Sequence, residues 1–270
     1  MRFLAFLIST VLALLLFGCE KVIDIKIPGN EPVLVIEGFI EEDSLCVVQL
    51  STTIDIFDGQ IPPFMENAVV TIRDDQGNQE TLLYDFAGRY LGMALRGQVG
   101  RTYTLSVSLD GKDYEASSSL LPVVPIDSIS VEEVDNSVFF PTDFKNVRLH
   151  YTDPSATKNS YLAKFIYAPN PNNDDAVFLE RQYLLNDDNK NGLANAVYLF
   201  TEPVESNDVI IAELRSIDQA VFDYYFSIED ALTGNSFTTA APANPKNNWS
   251  NGALGYFGAW SKSVEFLIVP

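Results

Sequence analysis

Apolar and polar residues alternate with a period of two along most of the chain. That spacing puts successive side chains on opposite faces of an extended backbone, so it predicts half-buried strands. A first series runs Val33 to Ile40, Leu45 to Ser51, Ala68 to Arg73, Thr81 to Tyr84, Tyr90 to Leu95 and Thr102 to Leu109. The clearest sets Tyr103, Leu105, Val107 and Leu109 on one face, and Thr102, Thr104, Ser106 and Ser108 on the other. It runs into Asp110-Gly111, the chemistry of a two-residue hairpin turn, and Tyr114 to Ser118 returns. Asp74 to Asn78 reads as a second turn.

Leu121-Pro122-Val123-Val124-Pro125 is the expected domain boundary, because two prolines stiffen the segment and stop strand pairing. A second series follows: Ile126 to Val134, Val147 to Tyr151, Tyr161 to Tyr167, Val177 to Leu185, Ala196 to Phe200 and Val209 to Leu214. One helix is expected over 217–232. Ser216 with Gln219 fits a capping box, and Ile217, Val221, Tyr224, Ile228 and Leu232 share one helical stripe. Gly234 stands where a C-cap glycine belongs. Residues 238–252 read as loop, and Val264 to Val269 as a last strand. The expected fold is mainly β: two β-sandwich domains, 32–121 and 122–270, with one amphipathic helix in the second.

The amino terminus has a different pattern. Arg2 precedes an apolar run from Phe3 to Phe17, broken only by Ser9 and Thr10. As a helix that run reaches ~22 Å, short of the roughly 30 Å hydrocarbon core, so residues 1–18 read as a signal peptide. The run ends in Leu16-Phe17-Gly18-Cys19, which resembles a bacterial lipobox. Cys19 is then the expected site of covalent lipid and 19–31 a tether. Two or more acyl chains anchor a protein without a membrane-spanning helix. The alternative is an ordinary secretory signal with a chance cysteine.

Acidic residues number 37 against 17 basic ones, a formal charge of −20. Nucleic acid and anionic membrane surfaces need a basic face, so both are excluded as expected partners. Chemistry-bearing motifs are sparse. His150 is the one histidine, on the polar face of its strand with Arg148. Cys46, in an apolar run, reads as a buried thiol. No nucleophile elbow, zinc motif or phosphate loop is present, and no enzyme is expected. Asp187, Asn189 and Asn191 followed by Gly192 match the first half of a calcium loop. The second half fails, since Tyr198 stands where a bidentate Glu is needed. The competing reading is a polar hairpin loop with no metal or cofactor. Loop aromatics Phe57, Phe64, Phe139, Phe140 and Trp249 are candidate partner or ligand contacts; core packing under long loops is the competing reading.

Several segments together resemble an uncharacterised lipoprotein family of Bacteroidota. They are Cys19 to Asp24, Glu31 to Phe39, Asn67 to Arg73, Gly88 to Tyr90, Arg101 to Leu105, Pro125 to Ile129 and Gly252 to Phe257. Residues 67–118 also look like a carboxypeptidase-regulatory, immunoglobulin-like sandwich, and the second half is loosely fibronectin-like. Asp43-Ser44-Leu45 and Asp127-Ser128-Ile129 resemble O-glycosylation sites of such exported proteins, at Ser44 and Ser128. The family is commonly encoded beside TonB-dependent transporters. The resemblance therefore implies an outer-membrane lipoprotein, facing the cell surface and acting with a β-barrel partner. One departure concerns the leaflet: surface-export acids directly follow the lipidated cysteine, whereas here Lys21, Val22 and Ile23 separate Glu20 from Asp24.

The expected function is that of a non-enzymatic accessory subunit of a TonB-dependent transporter, assisting ligand capture or gating. One alternative is a structural subunit of the barrel-assembly or secretion machinery. Another is a stand-alone glycan- or peptide-binding adhesin.

Overall fold

The C-terminal strand decides the architecture. In the computed structural model, described for residues 31–55, 61–133, 145–168, 179–188, 190–199, 204, 206–233 and 244–270, it belongs to both halves of the chain. The chain divides into Met1–Glu31 and Pro32–Pro270, and the second unit carries every described strand and the helix.

The first half contributes β1 (Leu34–Glu41), β2 (Leu45–Thr52), β3 (Val69–Asp74), β4 (Gln79–Thr81), β5 (Leu83–Tyr84), β6 (Arg89–Arg96), β7 (Thr102–Leu109) and β8 (Lys112–Ser119). The second contributes β9 (Ile126–Glu133), β10 (Lys145–Thr152), β11 (Ser160–Ala168), β12 (Leu179–Asn186), β13 (Ala194–Leu199) and β14 (Val209–Ile217). Helix α1 (Gln219–Thr233) and β15 (Leu254–Ile268) complete the described elements. The fold is mainly β, as the alternation predicts.

The Asp110-Gly111 turn forms as expected, with both residues at positive φ and Leu109 facing Lys112. Three sheets result: an eight-stranded sheet in the order β12-β11-β14-β15-β1-β2-β6-β5, a four-stranded sheet β4-β3-β7-β8, and a three-stranded sheet β13-β10-β9. Residues 254–260 of β15 run parallel to β1, and residues 261–268 run antiparallel to β14.

Alternation shows which face each layer covers. In one core, Ile36 and Ile40 of β1 and Phe257 and Ala259 of β15 pack with Ile72, Tyr103 and Leu105 of the four-stranded sheet. In the other, Tyr161, Phe165, Ala212 and Leu214 pack with Val147, Leu149 and Val197 of the three-stranded sheet. The opposite face of the large sheet takes α1, where Val221, Phe222 and Tyr225 meet Phe39, Leu162 and Trp260. Both small sheets thus lie on one face of the shared sheet, and the helix on the other. A buried Phe, Leu or Ile in such a layer contributes about 1.5–3 kcal/mol.

Three expectations change. Residues 122–270 do not close on themselves as the expected second domain, because Trp249, Ala253, Phe257 and Ala259 pack in the first core. Segment 121–126 lies along β15: Ser261 Oγ donates to the Leu121 carbonyl at 2.9 Å, and Ile126 N–H donates to Ser263 Oγ at 3.0 Å. The last strand begins at Leu254, not Val264. Gly255 and Gly258 hide it in the sequence, yet Gly255, at φ 92, is what lets β15 approach the Ile36 carbonyl. The helix starts at Gln219, and its cap is Asp218, whose Oδ1 accepts from Val221 N–H at 3.0 Å. Ser216 remains in β14, and Gly234 lies outside the described residues.

Candidate functional site: two exposed apolar surfaces

The first surface is the pole where the chain enters the fold. Val33 is held to Thr53 by two hydrogen bonds of 2.9 Å, one to its carbonyl and one from its amide. On the other side of β2, Thr52 N–H donates to the Pro63 carbonyl at 3.0 Å, and Ser51 bridges to Phe64. The β5–β6 turn closes on the same strand end, with Leu50 N–H donating to the Gly88 carbonyl at 2.9 Å. These bonds set Val33, Ile54, Ile61, Phe64 and Phe86 around one strand end, all exposed. Ile61 is 77% and Phe86 56% exposed. The Arg89 guanidinium stacks over the Phe86 ring at 4.3 Å and pairs with Asp85.

The second surface lies on β15 beyond the helix. Val264, Phe266 and Ile268 point to the α1 side of the sheet but past its cover, and Phe266 is 72% exposed. Ile211 pairs with Phe266, and Ile166 with Ile211, so the apolar row continues across three strands. Among the described residues, no strand pairs with the outer edge of residues 261–268. Alternation alone would turn Val264, Phe266 and Ile268 inward. The Ser261 and Ser263 hydroxyls reverse this, since they are the groups bonded to the 121–126 backbone.

At the top of this face, under α1, the contacts are polar and aromatic. Trp260 stacks on Phe39 at 5.3 Å, and its indole N–H donates to Glu41 at 3.0 Å. Lys262 pairs with the same carboxylate at 2.8 Å. Burial alone would raise the Glu41 pKa, but the Lys262 and Trp260 donors hold it below the usual range. Tyr225 donates to the Tyr256 hydroxyl at 3.1 Å, and Tyr224 lies 4.7 Å from the Tyr256 ring. These are structural contacts of the helix with the sheet.

The residues singled out from the sequence are scattered. Cys19, Phe57, Phe139, Phe140 and Asn189 lie outside the described residues. Phe64 belongs to the entry pole. Trp249 is a correction: it is 7% exposed, packs in the first core and donates its indole N–H to the Ile36 carbonyl at 3.0 Å. A buried ring so held cannot be a partner contact. Cys46 is fully buried, which pushes its thiol pKa far up.

His150 Nε2 lies 2.8 Å from Ser130 Oγ on the outer face of the three-stranded sheet. Asp187 is buried in a loop clasp, where its Oδ2 accepts from Asn159 N–H at 2.7 Å. Asp153 does the same nearby, accepting from the Tyr161 hydroxyl and from Gly192 N–H. Asn191 is exposed. Ser44 is half-buried in the β1–β2 turn after Asp43, at φ 56, and Ser128 is exposed on β9. A polar cleft of about 470 Å³ lies between the β3–β4 turn and β6, lined by Asp74, Asn78, Glu80, Arg96, Gln98 and Arg101.

Ile61, Phe86 and the β15 row were not singled out from the sequence. The alternation of Val264, Phe266 and Ile268 was legible, but its direction depends on hydroxyls bonded to a segment some 140 residues away.

A mainly β scaffold with a shared sheet and two exposed apolar surfaces is the class that these features define. The chain belongs to the family described as Domain of unknown function (DUF4249), whose model matches residues 20–265. No curated protein matches it. Among solved structures it is similar to trypsin-activated alpha-2-macroglobulin from Escherichia coli, at 9% identity and TM-score 0.23, over 70% of this chain and 15% of that one. A pullulanase from Anoxybacillus sp. LM18-11, complexed with maltotriose, is similar at 11% identity and TM-score 0.22, over 66% and 24% of the two chains. CBD12 from CALX1.2 is similar at 10% identity and TM-score 0.23, over 86% and 100%. The chain spans less than a quarter of the length of the first two. At these scores the likenesses assign neither a fold family nor an activity.

Proposed function

We propose that this chain is a non-enzymatic, lipid-anchored outer-membrane protein of the Bacteroidota type, acting as accessory subunit of a TonB-dependent transporter. Its β15 surface docks on the barrel partner, and the assembled pair captures or gates a nutrient. The observation that carries this reading is the exposed row of Val264, Phe266 and Ile268, continued by Ile211, on the part of the sheet face that lies past helix α1. Contiguous exposed apolar groups on a folded surface mark partner contacts. Lys262, on the same face of β15, and Glu213, paired with Val264 on β14, supply a polar rim, as docking surfaces require. The lipobox at Cys19 and the Bacteroidota resemblance supply the address and the class of partner.

The test is a photo-cross-linking amino acid at Phe266 in the full chain, followed by gentle detergent extraction and mass spectrometry. A TonB-dependent barrel cross-linked in near-stoichiometric yield is the expected product, and Phe266→Asp lowers co-purification at least tenfold. Recovery of barrel-assembly or secretion subunits instead, or of the protein alone, overturns the reading.

A further inference from the structure

We infer that the entry pole is a shallow lipid-contact surface, seated at the boundary between headgroups and acyl chains of the bilayer that carries the anchor. The inference rests on the reading of Cys19 as lipidated and adds which end of the fold meets the membrane.

Three observations carry it. First, a group of exposed apolar residues lies at this end: Val33, Ile54, Ile61, Phe64 and Phe86 surround one strand terminus. Single exposed apolar residues are ordinary, but five held together by the bonds of Val33, Thr52 and Leu50 are a patch. Second, the tether meets the fold here. Only residues 20–31 separate Cys19 from Pro32, a reach of at most roughly 40 Å when fully extended. The far end of β1 and β2 is about 25 Å further off, at ~3.3 Å per residue over eight-residue strands, so seating it would draw the tether back along the fold through most of that reach. Third, the two ends differ in chemistry. The far turn reads Glu41-Glu42-Asp43-Ser44, all polar and mostly charged. Seating that end would bury its three carboxylates; seating the entry pole buries hydrocarbon and two aromatic rings, while the nearby carboxylates of Glu31, Asp55, Glu66 and Asp85 have to stay in water.

Glu66 and the Asp85–Arg89 pair stand at the rim of the pole. They hold the contact at headgroup depth, and the attraction is apolar rather than a basic patch on anionic lipid. A domain already tethered within reach loses little further freedom on seating, so a small patch suffices.

The experiment uses the full lipidated chain in phosphatidylcholine vesicles. A nitroxide is placed by Phe86→Cys and, separately, by Ile61→Cys, both exposed positions; Cys46 is buried and stays unlabelled. Phe266→Cys is the aqueous control. Collision rates with oxygen and with a water-soluble nickel chelate report depth. The expected result is a several-fold rise in the oxygen-to-nickel ratio at positions 61 and 86 on vesicle binding, with none at 266. Labels at both pole sites that stay as aqueous as 266 overturn the inference, and so does dipolar broadening from a second copy. The N-terminal peptide mass of the same preparation separates the two readings. A chain without acyl groups removes the anchor and this inference together; a lipidated chain with aqueous labels removes this inference alone.

Discussion

The Asp218 carboxylate accepts a 2.7 Å hydrogen bond from the Ser118 hydroxyl, across 100 residues of sequence. Asp218 also caps α1 through Val221 N–H and receives Ser119 N–H at 3.0 Å. Ser118 in turn accepts from Ala259 N–H at 2.8 Å, on the edge of β15 that β14 has left. One carboxylate and one hydroxyl therefore join β8, the helix start and the C-terminal strand. Asp218→Ala loses a cap and the part-buried oxygen that accepts two further hydrogen bonds, and is expected to cost about 3 kcal/mol in urea unfolding. Ser118→Ala should cost about 2 kcal/mol, and the double variant less than the sum, since the two share one network. Additive losses would show the two sites to be independent.

β15 is a structural member of both sandwiches. Residues 32–121 expressed alone lack Trp249, Phe257 and Ala259 from their core and lack the parallel partner of β1. That fragment is expected to give a collapsed, poorly dispersed amide spectrum, while the full chain unfolds in a single transition. A well-dispersed fragment spectrum would show that the first sandwich closes without β15.

Gly255 and Gly77 separate two glycine effects. Both have positive φ, 92 and 89. A Cβ on Gly77 meets nothing within 4 Å, whereas one on Gly255 would overlap the Ile36 carbonyl. Gly77→Ala should cost about 1 kcal/mol, the left-handed penalty alone. Gly255→Ala should cost about 3 kcal/mol or more, because it also breaks the β1–β15 pairing. Equal losses in denaturant would show that the close approach contributes nothing.

Buried tyrosines set an alkaline limit. Burial, reinforced by Asp153 and Asp187, pushes the Tyr151 hydroxyl up to about 12; burial and Glu37 do the same for Tyr224. Their folded values exceed the ordinary value of 10, so the unfolded chain loses these protons first. Stability is complete below pH 10 and falls between pH 10 and 12, by roughly 1.4 kcal/mol per pH unit for each group. Unfolding free energy measured from pH 8 to 12 checks this, and a flat profile through pH 11.5 would contradict it.

At the acid end the direction reverses. Glu41, beside Lys262 and Trp260, and Glu180, bonded to Lys164, both have lowered folded values. Their contribution is present above the unfolded carboxylate range and is lost as pH falls through the folded values. Lys262→Met removes a donor to Glu41 and is expected to raise the pH at which acid unfolding begins; an unchanged onset would assign acid sensitivity elsewhere.

Period-two alternation by itself determined that this chain is mainly β, where most strands run, and that Asp110-Gly111 turns a hairpin. Those are local properties: backbone pleat and positive-φ turn residues act within a few positions. The helical spacing of apolar residues likewise marked 217–232 as helical to within two residues at each end, because that stripe is local too.

Only the tertiary structure decided how the halves join and which apolar faces stay exposed. β15 is interrupted by two glycines in the sequence: at Gly255 the Ile36 carbonyl of β1 lies where a side chain would be, and at Gly258 the Trp260 ring does. Trp249 stands in a loop-like sequence, yet the Ile36 carbonyl, 213 residues away, holds it in the core. Val264, Phe266 and Ile268 alternate like any half-buried strand. Which half is buried depends on Ser261 and Ser263 finding backbone partners in 121–126, a long-range pairing that no local pattern encodes.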